Sequence, residues 1–368
     1  MRDYHKAIKK SSISADIFLK KIFTEIDVEV PSISQDELHK YPTMIVSSHR
    51  SHLDYILIGI NLTKLGFSNL RFAAGDNLTN MPYVGKKFRS WGAFSVYRAM
   101  AMKRSYLIKL SNQVAEMLVD GDNIIVFPEG GRSYSGEMLD IKGGVIAAAI
   151  LAQYQNPDLD IKYLPIAVSY EKLPEIRYFS RLKKGKKILS EKPNFVNKIL
   201  GNFNYFGADL FAFAKFLLAP KFRQKYGKVY IDIGEPISIN EITDIKANFN
   251  STSKSPFAAH KRSLAEAGTF IKQKITELYR ILPLHIVSKI LLDSKDIEVK
   301  HIEKLVDGLR KQLSKENMNL KTLSNYTNSE IVSIGLEQLQ YTNAVIVDNG
   351  IVKIKQKLFI EYYSAIIK

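Results

Sequence analysis

The chain contains no cysteine in its 368 residues. That excludes disulfides, thiolate metal sites and a cysteine nucleophile, and it removes any need for an oxidising compartment. No apolar run reaches the roughly eighteen residues of a membrane-spanning helix. The opening Met1-Arg2-Asp3-Tyr4-His5-Lys6 is charged and leads into no apolar core, so a secretory signal is not expected and a cytosolic location is. Acidic residues are also in short supply. The 37 Asp and Glu are outnumbered by 53 Lys and Arg, a formal net charge of +16. Such an excess favours anionic partners: phosphorylated metabolites, coenzyme A, acidic carrier proteins, an anionic membrane surface or nucleic acid. Apolar residues, by contrast, make up 46% of the chain, enough to bury a full core and a smaller second module.

From about Tyr41 to Ile239, short β-type runs alternate with helical patterns, which argues for an α/β core. Strands are expected at 43–47, 70–74, 93–97, 123–127, 162–170 and 228–233, and helices at 55–65, 103–119 and 144–153. Residues 1–40 read as a helical lead-in and 41–247 as the α/β domain. The polar stretch 248–255 before Pro256 reads as a linker. Residues 256–368 read as a mainly helical domain, with helices at 258–282 and 297–313 and a terminal hairpin around Asp348-Asn349-Gly350. Arg181, Lys183, Lys184, Lys186, Lys187 and Lys192 form a basic segment, either a solvated loop or a docking patch. Residues 206–219 are apolar over most of their circumference and precede a basic flank, which suits a place in the headgroup layer or in the core.

Two motifs carry chemistry. His49-Arg50-Ser51-His52-Leu53-Asp54 follows the apolar run Met44-Ile45-Val46 and sets an imidazole five residues before a carboxylate. In a regular helix two such residues turn away from each other. They meet only if His49 sits on the turn before the helix and Asp54 reaches back from its first turns, the layout of a general base and its orienting acid. A strand-to-helix turn at the carboxyl end of a strand is also where α/β proteins keep their ligands. Phe127-Pro128-Glu129-Gly130-Gly131-Arg132-Ser133 closes the most apolar strand. Its glycines let backbone amides approach a ligand, and its Glu and Arg can hold an anion or a hydroxyl, or else form a structural ion pair on a surface turn. Arg98 is a second cation at a strand end. Ser48 and Ser51 flank His49, but no Gly-x-Ser-x-Gly elbow supports a serine nucleophile. His49-x2-His52 has no third ligand at a recognisable spacing, so no metal is expected.

In order along the chain, His49 and Asp54, then Gly92, Phe94 and Arg98, then Phe127 to Ser133, then Leu164-Pro165-Ile166-Ala167-Val168, resemble the four blocks of the glycerolipid acyltransferase superfamily. The full His-Arg-Ser-His-Leu-Asp form, Ala74-Gly75-Asp76-Asn77-Leu78 and the Glu-Gly-Gly-Arg-Ser loop resemble the glycerol-3-phosphate and dihydroxyacetone-phosphate acyltransferases more than the lysophosphatidic acid enzymes. The likeness runs from about Met44 to Glu235 and continues more weakly to Glu361-Tyr362-Tyr363.

The resemblance implies an α/β fold, a mixed sheet flanked by helices, with a smaller C-terminal helical domain. It implies transfer of a fatty acyl group from acyl-CoA or acyl-carrier protein to the sn-1 hydroxyl of glycerol 3-phosphate, giving lysophosphatidic acid. The setting would be the cytoplasmic face of a membrane, reached peripherally, with no cofactor beyond the acyl thioester and no nucleic acid partner. On the same footing, His49 would be the base and Asp54 its orienting acid. Arg98, Glu129, Gly131, Arg132, Ser133 and Lys142 would bind the acceptor, and Gly92, Phe94 and Pro165 would lie on the acyl-donor side. The acyl chain needs an apolar groove that the sequence permits but does not locate. Two departures remove positive charge: Tyr97 stands before Arg98 where the family usually has a second arginine, and Tyr134 follows Ser133 where an arginine is frequent. Dihydroxyacetone phosphate or a lysophospholipid is therefore the alternative acceptor. The alternative of another class is a non-enzymatic basic protein that binds membrane or nucleic acid through its charge.

Overall fold

The computed structural model describes residues 3–80, 84–97, 100, 103–176, 226–250, 256–292, 294 and 296–367. Helix α1 (Asp3–Ile22) leads to strand β1 (Glu25–Glu29) and helix α2 (Gln35–His39). The alternation then runs β2 (Thr43–Ser47), α3 (Asp54–Lys64), β3 (Leu70–Gly75), α4 (Asp76–Thr79), α5 (Val84–Ser90), β4 (Ala93–Val96), α6 (Arg104–Val119) and β5 (Asn123–Val126). It closes with α7 (Gly143–Gln155), β6 (Lys162–Tyr170), β7 (Lys228–Ile233) and β8 (Ile237–Ser238). All six strands expected from the sequence are present, and β2, β6 and β7 keep the expected ends.

The strands lie side by side in the order β1-β7-β6-β2-β5-β3-β4, with β8 paired to β6. Strands β7 and β8 run antiparallel to β6, and the other pairs are parallel. This is the mixed α/β sheet expected. Strands β2 and β5 are buried along their whole length, as central strands with both faces covered must be, which is why they read as continuous apolar runs.

The lead-in is not helical throughout. Its Glu25–Glu29 segment pairs in parallel with β7 and becomes an edge strand of the main sheet. Alternating acidic residues obscure it in the sequence, because Glu and Asp are poor strand formers. Tertiary partners compensate: Arg280 reaches Asp27 at 3.0 Å and Asp232 of β7 at 2.9 Å, and Lys228 reaches Glu25 at 2.6 Å.

Beyond β8 come α8 (Ile239–Ile242), α9 (Ile245–Asn250), α10 (Pro256–Leu278), α11 (Pro283–Leu292), β9 (Asp296–Glu298) and α12 (Val299–Lys315). Helix α13 (Asn328–Tyr341), the hairpin β10 (Val345–Asp348) and β11 (Ile351–Ile354), and α14 (Lys357–Ser364) complete the chain. The start of the expected linker is ordered: Asn248 is buried in α9 and donates to Ser263 Oγ at 3.0 Å. Residues 251–255, the basic segment 181–192 and the apolar segment 206–219 lie outside the described residues. In the hairpin, Asn349 and Gly350 take φ of 48° and 78°, the positive values that a tight two-residue turn requires. Strand β9 joins the hairpin in a small three-stranded sheet that the sequence did not announce. The C-terminal helices share one continuous apolar core with the main sheet, and α10 packs on α7 and β6. Among the described residues no helix is long and apolar enough to cross a membrane.

Helix α14 also seats on the loop after β5. Gly136 has φ of +92°, and a Cβ there would stand 1.9 Å from the Tyr362 carbonyl oxygen, whereas Gly121, at φ of +81°, has open space around it. Gly121→Ala should cost about 1–2 kcal/mol in denaturant unfolding from backbone strain alone, and Gly136→Ala at least ~2 kcal/mol more. Equal losses would show that α14 does not rest on this loop.

Candidate active site

Strands β5, β2 and β6 are neighbours and mutually parallel, so their carboxyl ends emerge together on one edge of the sheet. The His49 turn follows β2, the Glu-Gly-Gly-Arg loop follows β5, and Tyr170 and Glu175 come from the end of β6 and just beyond it. The backbone amide of Ser133 donates to the His49 carbonyl at 3.1 Å, which joins the first two.

Asp54 organises the turn. It is the first residue of α3 and fully buried. Its Oδ2 accepts the backbone N–H groups of Arg50 at 2.7 Å and Ser51 at 2.8 Å, and it faces His49 Nδ1 at 2.9 Å. Its Oδ1 accepts the Tyr170 hydroxyl. A carboxylate at a helix N-terminus satisfies amides that lack intrahelical partners, and it complements the helix dipole. An oxygen that already accepts two N–H groups cannot donate, so the proton between the two side chains sits on His49 Nδ1. The Nε2 lone pair is left free to take another proton. The imidazole stacks on Phe127, with centroids 4.3 Å apart, and its side chain is 14% exposed.

The structure distributes the other expected residues unevenly. Glu129 is buried and turned away from solvent, with Oε1 accepting the His49 N–H at 2.8 Å and Oε2 the Leu139 N–H at 2.7 Å. Burial pushes its carboxyl up from the ordinary value. Ser133 is also buried, and its Oγ accepts the Gly136 N–H at 3.1 Å. Both therefore shape the loop from behind. Gly131 and Lys142 border an open groove, and the exposed Lys142 chain lies across Gly130, its Cδ 2.8 Å from where a Cβ would stand. Arg132 does not border that groove. It is buried beside the Tyr134 ring, 5.6 Å away, with its charge opposed to Glu175. Arg98 lies outside the described residues.

Gly92, Phe94 and Pro165 do not border the groove either. Gly92 is in the turn before β4 against the Leu70 carbonyl, Phe94 is buried in β4, and Pro165 is opposite Val46 inside the sheet, its carbonyl accepting the Gly234 N–H at 2.9 Å. Their surfaces are taken up by packing within and beside the sheet.

The groove itself has a volume of about 730 Å³ and starts at His49 and His52. Beyond them its walls are largely apolar, built from Tyr55 and Gly59 of α3, Phe72 of β3, Trp91 after α5, and Ile146 of α7, with Ile8 of α1 closing one side. That size suits a small-molecule or acyl ligand. Ser48 and Ser51 are buried and border none of it. Among the described residues no group of three His, Asp or Glu side chains is placed to hold a metal ion.

Sequence reasoning missed Tyr170 and Glu175. Glu175 lies just before the basic segment in the sequence, yet it is buried, accepting the His52 N–H at 2.8 Å and the Ser51 hydroxyl at 2.9 Å. Burial pushes its carboxyl up to about 7, against the opposing pull of the Arg132 charge and these two hydrogen bonds.

Two family models match the sequence in order: Acyltransferase over residues 28–169, and the glycerol-3-phosphate acyltransferase C-terminal region over 212–364. A glycerol-3-phosphate acyltransferase of Xanthomonas axonopodis pv. citri is 32% identical over 247 residues, covering 65% of this chain and 25% of that protein. One from Xylella fastidiosa is 34% identical over 199 residues, covering 54% and 21%. One from Pseudomonas fluorescens is 28% identical over 243 residues, covering 66% and 27%. The chain thus spans about a quarter of the length of the curated relatives it matches. The crystal structure of a 1-acyl-sn-glycerophosphate (LPA) acyltransferase from Thermotoga maritima is 19% identical, covers 74% of this chain and 83% of that one, and has a TM-score of 0.37. That likeness is too low to add to the fold described above.

The carboxyl of Glu175 gives a signed pH dependence. Its folded value of about 7 lies above its ordinary 4.5, so the stability it contributes is fully present below pH about 4.5 and lost as pH rises through about 7. Glu175→Gln cannot ionise, and in urea unfolding it should gain on the wild type by up to ~3 kcal/mol across that window. A difference that stays constant with pH would contradict the burial of this carboxyl.

Proposed function

We propose that this chain, as a member of the glycerol-3-phosphate acyltransferase family whose models it matches in order, moves a fatty acyl group from a thioester to the sn-1 hydroxyl of glycerol 3-phosphate, giving lysophosphatidic acid. The observation that carries the proposal is the His49–Asp54 pair, 2.9 Å apart, at the head of an apolar groove. His49 Nε2 takes the acceptor's hydroxyl proton as that oxygen attacks the thioester carbonyl. The C–O bond forms, the tetrahedral intermediate expels the thiolate as the C–S bond breaks, and the imidazolium returns the proton to sulfur. Asp54 holds the Nδ1–H tautomer and stabilises the imidazolium between these two transfers.

Around this centre the groove takes the acyl chain, and its apolar walls keep water from competing with the acceptor hydroxyl. Among the described residues, Lys142 is the cation best placed to meet the acceptor phosphate, being exposed and bordering the groove. Acyl-CoA and acyl-carrier protein both supply the required thioester. Peripheral association with an anionic membrane is supported by α1, which exposes Ile13 and Ile17 between Lys6, Lys10, Lys20 and Lys21, the mix of apolar and basic groups that settles in a headgroup layer.

His49→Ala should lower kcat by ~10²–10⁴-fold, with binding to anionic liposomes unchanged. Lys142→Ala should raise the KM for glycerol 3-phosphate ~10-fold with little change in the KM for the thioester. Turnover near wild type in the His49 variant would remove the general-base role. Losses confined to liposome binding would favour a non-enzymatic binding protein.

A further inference from the structure

Four consecutive backbone amides, those of His49, Arg50, Ser51 and His52, each donate to a carboxylate. Glu129 takes the first at 2.8 Å, Asp54 the second and third at 2.7 and 2.8 Å, and Glu175 the fourth at 2.8 Å. The three acids arrive from separate places: the loop after β5, the start of α3, and the segment after β6. A strand-to-helix turn ordinarily leaves such amides to water, and no ordinary turn needs a buried carboxylate, which is costly to desolvate.

We propose that Glu175 is a positioning residue for His49: it closes a three-carboxylate brace that holds the 49–52 turn at its far end and thereby sets where the imidazole stands. Glu129 and Asp54 alone grip the turn at residues 49 to 51 and leave it free to pivot at His52. Glu175 removes that freedom twice over, because both of its oxygens also accept the Ser51 hydroxyl at 2.9 Å, and that hydroxyl oxygen accepts the Leu53 N–H at 3.1 Å. The brace therefore extends to the first residues leading into α3. Glu175 itself does not border the groove, while His49 and His52 do. It acts through the turn, without touching a substrate. The charge of the buried Arg132 opposes that of Glu175.

The inference rests on His49 being the general base, and the experiment separates the two. Steady-state acyl transfer from palmitoyl-CoA to glycerol 3-phosphate is measured at pH 8 with the full chain. Turnover is expressed per binding-competent site, counted by calorimetric titration with a thioether analogue of palmitoyl-CoA. Misplacing a base by a fraction of an ångström to one ångström lowers kcat, so Glu175→Ala is expected to lose ~10- to 100-fold in kcat per site with both KM values within ~3-fold of wild type. Glu175→Gln keeps an oxygen that accepts the His52 amide and should recover to within ~5-fold. Ser51→Ala, which keeps the His52 amide on Glu175 and removes the hydroxyl that joins Glu175 to the Leu53 N–H, should lose ~3- to 10-fold.

Three results would overturn the brace: a Glu175→Ala kcat per site within twofold of wild type, a loss that appears wholly as fewer competent sites, or a Gln variant no better than Ala. Should Glu175→Ala fail to fold, Ser51→Ala decides, and wild-type kcat in that variant overturns the proposal. His49→Ala runs alongside. If it retains turnover, the general-base reading fails; if it is inactive while the Glu175 variants are unimpaired, only the brace fails.

Discussion

The fully buried carboxylate of Asp54 is the interaction on which the rest depends. Its two oxygens accept a tyrosine hydroxyl, an imidazole N–H and two backbone amides, and those four partners come from β6, the turn and the turn's own backbone. A buried charge with fewer donors would be too costly to keep. The donors can be assembled only because β2 and β6 are adjacent and parallel, which brings Tyr170 to the start of α3. The sheet order is thus a precondition of the dyad, and the dyad's tautomer follows from the saturation of Asp54.

The C-terminal helices support the same centre from behind. Arg50, between His49 and Ser51, buries its guanidinium over the Tyr279 ring at 5.2 Å and donates to the carbonyls of Gly136 and Glu137. Tyr362 lies against Gly136, and the Tyr363 hydroxyl accepts the Leu173 N–H at 3.4 Å. A guanidinium held by carbonyls and an aromatic face is a rigid tie, so the motif turn, the loop after β5 and the C-terminal segment are fastened as one body. On the other side, the groove leads away from His49 between α1, α3, α5, α6 and α7. An acyl chain lying there would leave its reactive end at the imidazole.

What could be read in the sequence was local. The His-x4-Asp spacing and the strand before it dictate a pair that meets across a turn, and the alternation from β2 to β7 is regular enough to place every one of those strands. What escaped depends on distant partners. Strand β1 carries Glu25, Asp27 and Glu29 and pairs only because β7, Arg280 and Lys228 accept them. Glu175 has no local signal of its burial, because its partners Ser51 and His52 are more than a hundred residues earlier. Arg132 sits in a motif loop that promises phosphate contact, but its local sequence says nothing of its burial or of the buried acid whose charge it opposes. Gly92, Phe94 and Pro165 lie in a turn and two strands away from the groove lining, a placement that motif spacing alone does not disclose.

The most direct test offers labelled glycerol 3-phosphate, dihydroxyacetone phosphate and lysophosphatidic acid separately to the purified protein in liposomes, each with a palmitoyl thioester. The account predicts lysophosphatidic acid formed from glycerol 3-phosphate and no comparable product from the other two. Acylation of lysophosphatidic acid alone, or no turnover of any acceptor by folded protein, would contradict it.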